Sequence, residues 1–158
     1  MKGAILFATA ALLGAAVPAA AQDLAGGKAL FEQHCAVCHQ PGGVGLDGLA
    51  PPLTANPGRY SATDAGRQAL ARVALYGMYG QIESGGKHFN GNMPPFGGLP
   101  DSELADVLNY LVFDLSAATR NPDATPYRAD ELAGLRAQPV AGSEVRRQRM
   151  KVLDGGAK

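Results

Sequence analysis

The sequence predicts an all-α domain with long loops, and three observations carry that reading. Apolar residues recur at helical spacing in three separated stretches. Patterns alternating apolar and polar residues, the mark of a half-buried strand, are weak throughout. Glycine (21) and proline (11) are abundant in a chain of 158 residues and gather between the periodic stretches, where they punctuate helices and form turns. This length suits one domain with one core and some additional chain. Hydrophobic residues make up 46% and charged residues 18%, an ordinary globular balance. There is no tryptophan, and aromatics reach only 6%. A core so poor in large rings gains from a bulky apolar group supplied from outside the chain.

The first segment is read as an export signal. Lys2 is a short positive region, Ala4 to Val17 is an apolar run, and Ala19-Ala20-Ala21 offers small residues for cleavage before Gln22. A retained membrane anchor is the competing reading, but the run is short for a bilayer span. The expected organisation is a signal peptide over 1–21, a domain over 22–117 and a C-terminal extension over 118–158, with no membrane span after cleavage. Residues 22–117 carry five Lys/Arg against nine Asp/Glu, and 118–158 carry eight against five. Neither bias is strong enough to suggest a nucleic-acid surface.

Asp23 to His34 reads as the first helix, with Leu24, Leu30 and Phe31 as its apolar positions. Gly27 lowers helix propensity there, which predicts that another element crosses closely. Residues 40–59 read as loop. Asp64 to Tyr76 reads as the second helix, with Leu70, Val73 and Ala74 on one face and Ser61, Thr63 or Asp64 as its cap. Residues 77–98 are again loop and end in NGNMPPFGG. The third helix runs from about Asp101 to Leu115, where Leu104, Val107, Leu108, Leu111 and Leu115 form one apolar stripe. After Ser116 the texture changes. Thr125-Pro126 looks like an N-cap followed by proline at the first helical position, with a short helix to about Ala137 burying Leu132 and Leu135. A last helix spans Ser143 to Leu153. The extension is expected to be solvated and partly ordered, in preference to docked.

The two cysteines, Cys35 and Cys38, stand in HCAVCH. Zinc needs four ligands, and Cys35, Cys38 and His39 supply three with no second pair following. A thioredoxin-like redox pair needs a strand leading into a helix, which this chain lacks. Cys-x-x-Cys-His is the attachment signature of c-type haem. One helical turn brings two thiols within reach of the two vinyl groups on one side of a porphyrin, and His39 is then placed to be the proximal iron ligand. Thioether formation also keeps an exported thiol pair from becoming a disulfide. For the second axial ligand the expectation is Met93, in Asn90-Gly91-Asn92-Met93-Pro94-Pro95-Phe96, where prolines stiffen the backbone. Met78 is the fallback, and His88 is a weaker candidate. His34 is expected to be a surface histidine pointing away from the iron.

With these motifs the sequence resembles the class I c-type cytochromes, of the small bacterial mono-haem kind, over about residues 22–115. GGKALFEQHCAVCH resembles the family's first helix and attachment site, APPLTANP the loop beyond it, GNMPPFG the methionine loop and LADVLNYL the terminal helix. The resemblance implies the cytochrome c fold with one covalent haem c. It implies that the Pro51 carbonyl accepts the N–H of His39, that Leu53 packs on the haem, and that Gly27 and Phe31 meet Val107, Tyr110 and Leu111. Arg59, Tyr60 and Arg72 are left as alternatives for the haem propionates. The stretch RVALYGMYGQIESGGKHFNGNMPPF resembles haem domains that accept electrons from exported dehydrogenases.

The expected function is electron transfer in the periplasm, with no enzymatic step of its own. Two protein ligands leave no open position on the iron, and a soft thioether raises the potential. The expected partners are redox proteins such as a periplasmic dehydrogenase or a terminal oxidase. The alternatives are a cytochrome subunit held in a dehydrogenase or oxidase complex, and a haem enzyme or gas sensor with a labile sixth ligand.

Overall fold

The structure, a computed structural model, describes residues 23–154; the expected export signal lies outside them. Helix α1 is Leu24–His34. Asp23 caps it, its carboxylate accepting the Gly26 N–H at 2.8 Å and so satisfying one orphan donor of the first turn. After a break at Cys35 the short α2, Ala36–His39, follows. Residues 40–59 are not all loop as expected: Pro41–Gly43 forms a 3₁₀ turn, and Asn56–Tyr60 forms a helix, α3, opened by Pro57. Helix α4 is Asp64–Tyr76, with Thr63 as its cap. The sequence reading missed a two-stranded antiparallel hairpin, β1 Ile82–Ser84 and β2 Lys87–Phe89. Each strand has three residues, too few to show a period. Helix α5, Asp101–Tyr110, runs into a π-helical turn, Leu111–Leu115, so the stripe from Leu104 to Leu115 acts as one rod.

Helices α1 and α5 cross in close contact. A Cβ built on Gly27 would lie 2.1 Å from the Asp106 carbonyl oxygen and 3.0 Å from the Tyr110 Cβ. Phe31 and Tyr110 pack beside this crossing with ring centroids 5.6 Å apart, within the range of favourable aromatic pairs.

The extension is docked, not solvated as expected. Helix α6, Ala129–Arg136, packs on α4 and α5, and α7, Gly142–Asp154, packs on α4. Its anchors are both apolar and polar: Leu132 and Leu135 are buried as expected, with Tyr127, in the cluster of α4 and α5, and Val145 in that of the hairpin. Asn109, buried on α5, exchanges two hydrogen bonds with the Tyr127 backbone, at 3.1 and 2.7 Å. Arg67 of α4 pairs with both carboxylate oxygens of Glu131 at 2.7 Å, donates to the carbonyls of Thr125 and Pro126, and covers the Tyr127 ring. These bonds hold residues 125–128 outside the helix, with Arg128 in extended backbone, so α6 begins at Ala129 and not at the expected Thr125-Pro126 cap. Arg136 returns to Asp101 at the start of α5.

Leu132 and Val145 are both 0% exposed. Val145→Ala should therefore lower stability by roughly 2 kcal/mol, as expected for a truncated core side chain, whereas a substitution in a solvated tail stays within about 0.5 kcal/mol. Denaturant titration of the haem-loaded protein distinguishes the two.

Candidate haem site

Among the described residues, the buried apolar side chains form three separate clusters. One joins α4, α5 and α6 around Leu70, Leu104 and Leu108. A second joins α1 and α5 around Phe31, Val107 and Leu111. The third joins the hairpin to α7 through Met78, Ile82, Phe89 and Val145. A domain of this size ordinarily has one contiguous core. Here all three clusters face one cavity, with about 1350 Å³ of empty space out to its mouth. The missing aromatic mass noted in the sequence corresponds to this gap.

Cys35, Cys38 and His39 stand on its wall. Helix α2 is little more than one turn, and its geometry presents both sulfurs and the imidazole to the same space. His39 is buried, and its Nδ1 lies 2.8 Å from the Pro51 carbonyl oxygen. A carbonyl can only accept, so Nδ1 carries the proton and Nε2 keeps a free lone pair. Burial lowers the His39 pKa, the bond to Pro51 opposing it, so the ring is held neutral and able to ligate. Burial, reinforced by the neighbouring Cys38, pushes the Cys35 thiol up to about 11. Among the described residues, no cluster of three or more His, Cys, Asp or Glu is arranged to hold a metal ion by itself.

The loop after His39 folds back over the motif. Gly45 donates to the His39 carbonyl at 2.7 Å, and Leu53 donates to that of Gly43 at 2.8 Å. Gly45 has φ +80°, and a Cβ there would lie 2.6 Å from the Pro52 nitrogen. Only glycine allows so close a return, and the return sets Pro51 and Leu53 on the cavity wall.

Met93 is half-buried on the cavity lining. Its loop is braced twice. Its N–H and carbonyl pair with Met78 at 2.9 and 3.0 Å, tying it to the end of α4. Asn90 and Gly91 donate to the Gly48 and Leu49 carbonyls at 3.0 and 3.1 Å, tying it to the loop beyond the cysteines. Met78 also reaches the cavity, but as a buried member of the hairpin cluster. His88 is exposed on β2 and is not on the lining.

His34 departs from expectation. It is half-buried on the cavity lining, edge-on to Phe96 with centroids 6.5 Å apart, because the break at Cys35 turns this end of α1 toward the methionine loop. Of the three residues left open for the propionates, Tyr60 is buried on the lining, Arg59 is exposed, and Arg72 is half-buried off the lining and donates to Gln148. Arg149, from α7, also lines the cavity. Sequence reasoning missed it because its segment read as a solvated basic tail.

The arrangement can hold a large flat apolar group, with two thiols and a neutral imidazole on its wall and two methionines on the lining. The family model Cytochrome c matches residues 24–112. The chain is 38% identical over 128 residues to a cytochrome c-552 of Thermus thermophilus, covering 81% of this chain and 97% of that one. It is likewise 38% identical to the cytochrome c-552 of a named strain of the same species, covering 81% of this chain and 86% of that protein. Cytochrome c6 of Synechocystis is 36% identical over 95 residues, covering 60% and 68%.

Proposed function

Because the chain belongs to the cytochrome c family, an electron carrier with covalently bound haem c, we propose that Cys35 and Cys38 form its thioethers, His39 and Met93 ligate its iron, and it serves as an exported one-electron shuttle between redox proteins. One observation carries the site assignment: a buried, neutral His39, oriented by Pro51, shares a single apolar cavity with both cysteines and Met93. When bound, the haem supplies the Fe(II)/Fe(III) couple. The chain's part is to hold it still and dry. The Pro51 carbonyl fixes the His39 ring plane, and the paired backbones of Met78 and Met93 fix the thioether's approach. Ligands braced in this way shift little between oxidation states, which keeps reorganisation small. The apolar walls disfavour the extra charge of Fe(III), and the thioether favours Fe(II), so both raise the potential.

The same reading divides the chain into a signal peptide over 1–21, a haem domain over 22–117 and an extension over 118–158. Among the described residues, no helix is long and apolar enough to cross a membrane. The partner proposed is an exported dehydrogenase or a terminal oxidase. A free carrier is favoured over a fixed subunit because α7 spends Val145 and Arg149 on its own domain, and none of the exposed large hydrophobic residues among those described belongs to the extension. Expression with a haem-attachment system should give a pyridine haemochrome typical of two thioether links and a mature N-terminus at Gln22. A Cys35–Cys38 disulfide in the native protein overturns the reading.

A further inference from the structure

Arg149 is 4% exposed and lines the cavity. A guanidinium has five N–H donors and keeps its charge. Here Nη2 donates to the Glu83 carbonyl at 3.1 Å, and Nη1 faces the Met150 sulfur at 3.6 Å, a weak acceptor. Three other arginines of the extension have carboxylate partners, Arg128 with Asp130, Arg136 with Asp101 and Arg147 with Glu144; Arg120 and Arg146 donate to backbone carbonyls but are less buried than Arg149. Among the described residues, no carboxylate lies within ion-pair distance of Arg149. A charge buried without a counter-ion is strongly unfavourable, so this guanidinium calls for an anion that the described residues do not provide.

The surroundings indicate where that anion sits. Asn56, also on the lining, donates to the Ser84 hydroxyl at 2.8 Å. Arg149 and Asn56 thus engage neighbouring residues of β1, and Tyr60, one turn along α3 from Asn56, lines the same cavity. Most other lining residues are apolar, among them Ile82, Phe89 and Leu70. The cavity therefore has a polar end. A haem matches this pattern, being an apolar macrocycle with two carboxylates on one edge, and a guanidinium fork suits a carboxylate. We propose that Arg149 is the counter-ion of a haem propionate, which makes the C-terminal extension part of the cofactor site.

The proposal rests on the haem reading and is tested on the haem-loaded full chain. A positive charge beside the macrocycle favours the added electron. Arg149→Gln should lower the reduction potential and shift the propionate bands in the resonance Raman spectrum. Arg149→Lys, which keeps the charge, should recover most of the potential. Arg147→Gln removes the same charge from an exposed position of α7 and should leave the potential unchanged. In the reduced wild-type protein, nuclear Overhauser contacts are expected between the Arg149 guanidinium and propionate methylene protons; they need no variant and so remain informative if Arg149→Gln does not fold. Absence of those contacts, or an Arg149→Gln potential equal to that of Arg147→Gln, overturns the proposal while leaving the haem reading intact. Absence of a c-type haemochrome in the wild type defeats the haem reading itself.

Discussion

Met93→Ala should convert the protein from a closed electron carrier into one with an open iron position. The oxidised protein should lose its methionine-to-iron charge-transfer band, and the reduced protein should bind carbon monoxide readily. The potential should fall by on the order of 0.1 V or more, a modest part of the span that axial ligands command. The loop should survive the change, because the bonds that brace it run through the backbone of Met93 and its neighbours and not through the thioether. The matched variant is Met78→Ala. Met78 belongs to the buried hairpin cluster with Ile82, Phe89 and Val145, so truncation there should lower stability by about 2–4 kcal/mol and leave the charge-transfer band in place. A Met93→Ala protein with an unchanged band, or a Met78→Ala protein that loses it, transfers the ligand role to Met78. Carbon monoxide binding by the reduced wild type would favour the sensor or enzyme alternative over the carrier.

The contrast between the two methionines shows which parts of the site are legible in the sequence. Met93 stands out because prolines and glycines surround it, and the stiffness they imply is local. Cys35, Cys38 and His39 are legible for the same reason, since their spacing is itself the geometry. Gly27 is legible because an isolated glycine in a helical pattern asks for a close neighbour. The hairpin is too short for a period to register. Leu132 and Leu135 of the extension are legible as apolar positions and are buried, but its docking also uses Asn109, Arg67 and Arg136 reaching backbone groups far along the chain, and such bonds leave no period to read. Arg149 is hidden twice, first in a run of basic residues that looks solvated and then in a helix whose partner, α4, lies more than sixty residues earlier. A charge's burial is a tertiary property, so composition alone pointed to the surface.

Gly27→Ala should destabilise the haem-loaded protein by about 3 kcal/mol or more, although the change improves helix propensity. Replacing glycine with alanine inside a helix is ordinarily worth about 1 kcal/mol in favour of alanine. At Gly27 the new Cβ would lie 2.1 Å from the Asp106 carbonyl oxygen and 2.7 Å from its carbon. Those atoms belong to the backbone of α5, so no rotamer change relieves the overlap. The helices must separate by roughly 1 Å to restore ordinary contact distances. Separation loosens Phe31, buried against Tyr110, Val107 and Leu111, and overpacking of a close-packed interior typically costs about 1–3 kcal/mol even where side chains can yield. Because Val107 and Leu111 also line the cavity, the melting transition should broaden and the haem environment should change with it. Gly134→Ala supplies the comparison. It makes the same chemical change in α6, where a new Cβ meets nothing within 4 Å, and should stabilise by about 0.5–1 kcal/mol. Thermal unfolding of the two variants should move in opposite directions; a Gly27→Ala protein as stable as Gly134→Ala would mean that the α1–α5 crossing is looser than this geometry requires.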